Sequence, residues 1–303
     1  IYKIVVKNYY NRNSSGRPEL LHVIIICKGD KFMRGDYHSH SVFDDGKSTL
    51  LEMAEAAEKL GLDYFGFSGH SYQAFDDSFS IKKEDRERYR SEARAVQEKF
   101  RKEGRKTRIF VGLEQDIFGE PEPDMEYVIG SVHYILHDGE YCCVDESLEI
   151  SRRMIREHFE GDPYKMTAAY YDLVAQVPER TNCQIVGHFD LVTKFNETGR
   201  LFDAEDPRYL KRAAEVMESL VKKDLVFEIN TGAISRGYTT MPYPGASLLK
   251  LLHDMGGRIM INSDSHHKDT ICYRFDLARE CALRAGFASA FLLTDRGWEE
   301  EAL

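Results

Sequence analysis

Residues 34–46 read RGDYHSHSVFDDG, placing His38 and His40 two positions apart with Asp44 and Asp45 close behind. On an extended chain, side chains two apart point to the same side, so these two imidazoles share one aspect of a strand. Farther along, His70, Glu114, His133, His188, Glu228 and the pair Asp264 and His266 each fall at the end of a short apolar run. These are metal-ligand types, and a mixed nitrogen and oxygen set suits Zn, Fe or Mn better than Ca or Mg. A single strand-end histidine has many ordinary roles. Gathering this many without a cation would leave several buried polar groups poorly satisfied, at about 1–3 kcal/mol each. The candidates exceed the usual four ligands of one ion, so at least two divalent ions are expected, with His38 and His40 facing one of them.

Such a gathering requires strands that all end at one face. From Met33 onward, apolar strand-like runs alternate with helical periodicities: MRGDYHSH, DYFGFSGH, IFVGLEQD, YVIGSVHYI, QIVGHFDLV, LVFEINTG, RIMINSDSHH and SAFLLTD are the strand segments. Between them, Thr49 and Glu52 have capping-box spacing with Gly61 as the stop, and a charged helix runs from about Glu84 to Gly104. Two helical patterns lie between Ser147 and Val177. Asp206 and Pro207 open a helix with Leu210, Ala213, Met217 and Leu220 on one face, and further helices run from about Gly245 and about Phe275. Continuously apolar strands alternating with helices mean a parallel sheet with helices outside. Seven or eight such units fit a closed α/β barrel, a single domain whose functional residues collect at the C-terminal strand ends. An open doubly wound sheet is the alternative, but no GxGxxG follows a strand.

Composition narrows the function classes. Of 303 residues, 42% are hydrophobic and 30% charged, and 41 Lys and Arg against 51 Asp and Glu leave a net charge of -10, which argues against a general nucleic-acid backbone binder. No apolar run approaches the roughly 20 residues of a membrane-spanning helix. The six cysteines show no CxxC spacing and are expected to be reduced, which places the protein in the cytoplasm. The first methionine is Met33. Residues 1–32 join no later pattern and are expected to be an N-terminal extension, non-native or poorly ordered, ahead of a catalytic barrel at 33–303; an extra strand pair is the alternative.

The segments HSH, DDG, SGH, GLEQD, GSVH, GHFD, EINTG and SDSH, in this order, resemble the PHP (polymerase and histidinol phosphatase) family over about residues 33–297. YVIGSVHYI and FEINTGAISRGY are most similar to its histidinol-phosphate phosphatase branch. The resemblance implies a distorted (β/α)7 TIM-like barrel with two or three divalent ions. It assigns a first ion to His38, His40, Glu114 and Asp264, a second to His133 and His188 with Glu114 bridging, and a third to His70, His266 and Asp45. Asp45 stands where some members carry a histidine, and SGH lacks the acidic residue that often precedes the family's histidine here. Glu228 is expected behind the ligands or against substrate.

Clustered divalent ions acidify a bound water and clamp phosphoryl oxygens, and a phosphate monoester needs both. The expected reaction is attack of a metal-bridging hydroxide on phosphorus, with Glu114 and Asp264 as the catalytic carboxylates and Asp264 or a bound water protonating the leaving alkoxide. Arg236, just past EINTG, suits phosphate through its planar fork; Lys194 and Arg200 follow GHFD in an analogous loop. The aromatics Tyr72, Phe75 and Phe79 could roof a pocket. The branch implies hydrolysis of L-histidinol phosphate in histidine biosynthesis, a small-molecule substrate with no membrane or nucleic acid involved. The competing readings are a phosphoesterase for nucleotides or phosphotyrosine and a non-catalytic metal-binding regulatory protein.

Overall fold

The computed structural model describes residues 34–303 in full. For the preceding residues it describes only a backbone pairing, β1 (Lys3–Arg12) antiparallel to β2 (Pro18–Cys27), which belongs to a compact unit of its own, residues 1–33. Residues 1, 2, 13–17 and 28–33, and with them the expected start at Met33, lie outside the described residues.

Residues 34–303 run through β3 (Gly35–Asp36), α1 (Leu50–Leu60), β4 (Tyr64–Phe67), α2 (Arg86–Lys102), β5 (Arg108–Asp116), β6 (Tyr127–Ser131), β7 (Tyr134–His137) and β8 (Glu140–Cys143). Then follow α3 (Leu148–His158), α4 (Pro163–Val174), α5 (Val177–Thr181), β9 (Ile185–Val186), α6 (Pro207–Val221), β10 (Val226–Asn230), α7 (Gly232–Ser235) and α8 (Ala246–Asp254). The last elements are β11 (Arg258–Asn262), α9 (Phe275–Ala285), β12 (Ser289–Thr294) and β13 (Gly297–Ala302). The helix starts follow local chemistry. Thr49 and Glu52 form the reciprocal capping box of α1, and Gly61 ends that helix at a φ of 86°. Asp206 caps α6 by accepting from the Arg208 N–H, with Pro207 in the first turn.

Seven strands pair in parallel in the order β11, β10, β9, β6, β5, β4, β3. The two ends meet beyond the short β3: the His40 N–H donates to the Ser265 carbonyl at 2.8 Å and the Ser265 N–H to the His38 carbonyl at 3.1 Å. Asp36 reinforces the seam by accepting from the Ser263 backbone N–H at 3.0 Å and from the Ser263 hydroxyl. The result is a nearly closed seven-stranded α/β barrel.

Alternation along the strands turns one parity into the barrel, where it forms two layers. Phe110, Tyr127, Ile129, Val226 and Met260 pack with Tyr37, Leu292 and Leu293 as an apolar floor. Farther along the same strands stand Glu114, Glu228 and Asn262, also fully buried. The opposite parity, including Phe227, Ile229 and Ile259, packs outward against helix residues such as Met217, Leu220 and Leu252.

Two strand expectations are corrected. SAFLLTD is not a barrel strand: β12 pairs with β13 as an antiparallel hairpin. The seventh strand already closes onto the first, and Leu292 and Leu293 instead cover the barrel floor, where the Tyr37 hydroxyl donates to the Leu293 carbonyl. YVIGSVHYI is two strands: β6 ends at Ser131, and β7 begins a hairpin with β8 around Asp138 and Gly139, both at positive φ. The break at His133 is fixed by its backbone N–H donating to Asp116.

Candidate metal centre

All nine ligand candidates, His38, His40, Asp45, His70, Glu114, His133, His188, Asp264 and His266, come together at the C-terminal mouth of the barrel, in overlapping sets whose donor atoms lie within 4.8 Å of one another. Glu114 is the hub. Its Oε1 lies 2.8 Å from His188 Nε2 and 3.4 Å from His133 Nε2, while its Oε2 lies 3.2 Å from His38 Nε2, 3.6 Å from His40 Nε2 and 2.8 Å from His70 Nδ1. Asp264 Oδ1 stands 3.2 Å from His40 Nε2 and 3.5 Å from His266 Nδ1. Asp45 Oδ1 stands 3.1 Å from His266 Nε2 and 3.8 Å from His70 Nε2.

Behind this layer a second set of carboxylates aims the rings. Glu228 accepts from His38 Nδ1 at 2.7 Å, Asp44 from His40 Nδ1 at 2.7 Å and Asp116 from His133 Nδ1 at 3.1 Å. A carboxylate on one ring nitrogen fixes the tautomer and turns the other nitrogen inward as a ligand. Accordingly His38 Nε2, His40 Nε2 and Glu114 Oε2 are buried without a hydrogen-bond partner. Orphaned polar atoms at the meeting point of imidazoles and carboxylates fit divalent cations.

The electrostatics agree. Burial acts to lower the His40 pKa, but Asp44 and Asp264 overcome it and raise it to about 10. His133 rises to about 9 against burial through Glu114 and Asp116. Burial acts to raise Glu114, yet His70, His38 and His133 hold it well below the usual carboxylate range. Asp264 is likewise held low, against burial, chiefly by Arg236. His266 goes the other way, to about 4, because burial, His40 and Arg236 all disfavour its charged form.

The cluster borders a cavity of about 300 Å³. Arg236 and Lys194, both expected at substrate, line it; Arg236 also donates to Asp264 Oδ2 at 3.1 Å, and Lys194 pairs with Asp145 at 3.0 Å. Glu228 does not line the cavity. It is fully buried, accepting from His38, the His188 backbone, Asn230 and Asn262. Phe79 is in the wall, whereas Tyr72, Phe75 and Arg200 are not. Sequence reasoning missed Asp116 and left Asp44 without a role, although both stand in the quoted segments DDG and GLEQD. It also missed Asp145 and Glu146 in the wall, for which the sequence carries no signal beyond their acidity.

Fold and site together define a class: an α/β barrel with a cluster of His, Asp and Glu donors suited to divalent cations at its mouth. Residues 36–232 match the PHP domain, and the chain belongs to the PHP domain family. Among its relatives is a probable histidinol-phosphatase of Schizosaccharomyces pombe, 23% identical, the match covering 84% of this chain and 88% of that one. Another probable histidinol-phosphatase, from Deinococcus radiodurans, is 27% identical over 79% of this chain and 89% of its own. Among solved structures, histidinol phosphate phosphatase from Lactococcus lactis, complexed with Zn, L-histidinol and phosphate, matches with a TM-score of 0.65 at 22% identity, covering 88% of this chain and 98% of that one. Among the described residues, no helix is long and apolar enough to cross a membrane.

Proposed function

We propose that this chain is a metal-dependent phosphomonoesterase that converts L-histidinol phosphate and water to histidinol and phosphate, a step of histidine biosynthesis. The observation that carries the reading is Glu114 standing between two donor sets, one oxygen toward His133 and His188 and the other toward His38, His40 and His70. The relatives' names and the ligands of the Lactococcus structure support the substrate.

In this reading His38, His40, Glu114 and Asp264 hold one ion, Glu114, His133 and His188 a second, and Asp45, His70 and His266 a third. Divalent ions bound there supply an acidified water and neutralise phosphoryl charge. The protein's own groups do the rest. Glu228, Asp44 and Asp116 hold the imidazoles in their ligating tautomers. Arg236 borders the same space as the donors, where its fork meets phosphate oxygens. Beside Arg236, Asp264 stays ionised, which suits a ligand rather than a proton donor, so the leaving alkoxide takes its proton from cavity water.

The test is metal analysis of the purified protein together with a phosphate-release screen of histidinol phosphate, a nucleoside monophosphate, a phosphotyrosine peptide and a synthetic diester. Preference for histidinol phosphate is expected. Preference for the diester, or no release by metal-loaded protein, would overturn the reading.

A further inference from the structure

The cavity wall beyond the candidate ligands carries Asp76, Asp145 and Glu146 beside the rings of Phe79, Tyr134 and Tyr238. Asp145 is neutralised by Lys194 at 3.0 Å. Asp76 accepts from the Tyr134 hydroxyl at 2.5 Å and from the Ser78 N–H at 3.0 Å, and these bonds to its charged form, with a smaller contribution from the Lys82 charge, hold its pKa low against burial. Glu146 is exposed to the cavity. Among the described residues neither Asp76 nor Glu146 is in an ion pair with a basic side chain. Two carboxylates outside any ion pair in the wall of a phosphate site repel the phosphate dianion, a disadvantage for an enzyme serving esters in general. The arrangement is favourable only when the remainder of the ester is cationic.

We infer that Asp76 and Glu146 form a specificity wall that selects phosphate monoesters of amino alcohols, taking the ammonium or imidazolium end of the substrate and turning away nucleotides and other anionic esters. This rests on the phosphomonoesterase reading of the same site. Discrimination arises as much from repulsion of the wrong ester as from attraction of the right one.

The experiment compares metal-loaded wild type with D76N, E146Q and the double variant, none of which removes a candidate metal ligand. The substrates are histidinol phosphate and the uncharged-tail ester 2-phenylethyl phosphate, and binding of histidinol alone is followed by calorimetry. The double variant is expected to lower the ratio of kcat/KM for the cationic over the neutral ester by about tenfold or more, mainly through KM, and to weaken histidinol binding similarly. An unchanged ratio with unchanged histidinol binding overturns the wall, as does an equal loss on both esters. If the wild type hydrolyses neither ester, the phosphomonoesterase reading fails, and histidinol binding in wild type and variants still decides whether the wall recognises a cation.

Discussion

His38, His40 and His133 share one device: a buried carboxylate on Nδ1 and a free Nε2 facing the cluster. Replacing such a carboxylate by its amide keeps the volume but offers an N–H where an acceptor is needed. Glu228→Gln and Asp116→Asn are therefore expected to weaken metal retention by about 10- to 100-fold with the fold intact, as read by competition with a chromophoric chelator. Unchanged affinity would show that the ring tautomers are set elsewhere. Gly232 serves the same cluster by close approach, since a Cβ there would stand 2.5 Å from Asp264 Oδ2. Gly232→Ala is expected to displace Asp264 and cut turnover by roughly 100-fold, checked by kcat at saturating metal; full activity would mean that Asp264 can shift freely. The strand-end histidines and acids were legible because residue type and period coincide along the chain. Residue type alone does not separate the adjacent Asp44 and Asp45, and only the family resemblance singled out Asp45; Asp44 backs His40, while Asp45 faces His266 and His70. For Glu228 the sequence left two places open, behind the ligands or against substrate. The depth at which its strand presents it puts it behind His38.

At the scale of elements, the caps and the alternation of strand and helix were readable because they are local. Thr49, Gly61, Asp206 and Pro207 act within a few residues of themselves. What could not be read was where each apolar run docks. SAFLLTD has a buried strand's composition, but the barrel seam is stitched by residues more than two hundred positions apart, such as Asp36 and Ser263, which leaves β12 to pair with β13. The hairpin of β7 and β8 did carry a turn signal, Asp138 with Gly139, obscured by the continuous apolar reading of YVIGSVHYI. Asp190 shows how one junction couples to pH. It follows β9, and its Oδ2 accepts from the Gly245 N–H at the start of α8, while its Oδ1 has no partner. Burial raises its pKa from 3.8 to about 7. The folded state therefore holds this proton longer than the unfolded chain does, so the contribution is fully present below pH 3.8 and is lost as pH rises through about 7. Asp190→Asn keeps an oxygen for Gly245 and removes the charge. Thermal melts should show the variant close to wild type at about pH 4 and more stable by roughly 5 °C at about pH 8. A constant difference across that range would mean that Asp190 does not titrate there.

For the whole molecule, the barrel positions a shell of carboxylates around imidazoles so that cations and protons compete for the same interior. Closure at the seam between His38, His40 and Ser265 brings the first strand's histidines against Asp264 of the last, so the site exists only in the closed fold. Ions that bind this state and not the unfolded chain must stabilise it by mass action, and chelation is expected to lower Tm by several degrees, reversed on adding metal back. The same enclosure fixes how affinity varies with pH. Against burial, Asp44 and Asp264 hold a proton on His40, up to about 10, and Glu114 and Asp116 hold one on His133, up to about 9. A ligating imidazole must be neutral, so filling the cluster near pH 7 has to displace protons that these carboxylates would otherwise keep bound. With both folded pKa values above the working range, apparent affinity rises with pH across about 6 to 8 and does not level off at the ordinary histidine value near 6.5. Calorimetric titration with Zn in buffers of different ionisation enthalpy should report more than one proton released as the cluster fills. Release of fewer than about one proton, or a plateau beginning at about pH 6.5, would mean that the imidazoles are already neutral before the ions arrive and that the carboxylate shell positions the rings without setting their charge.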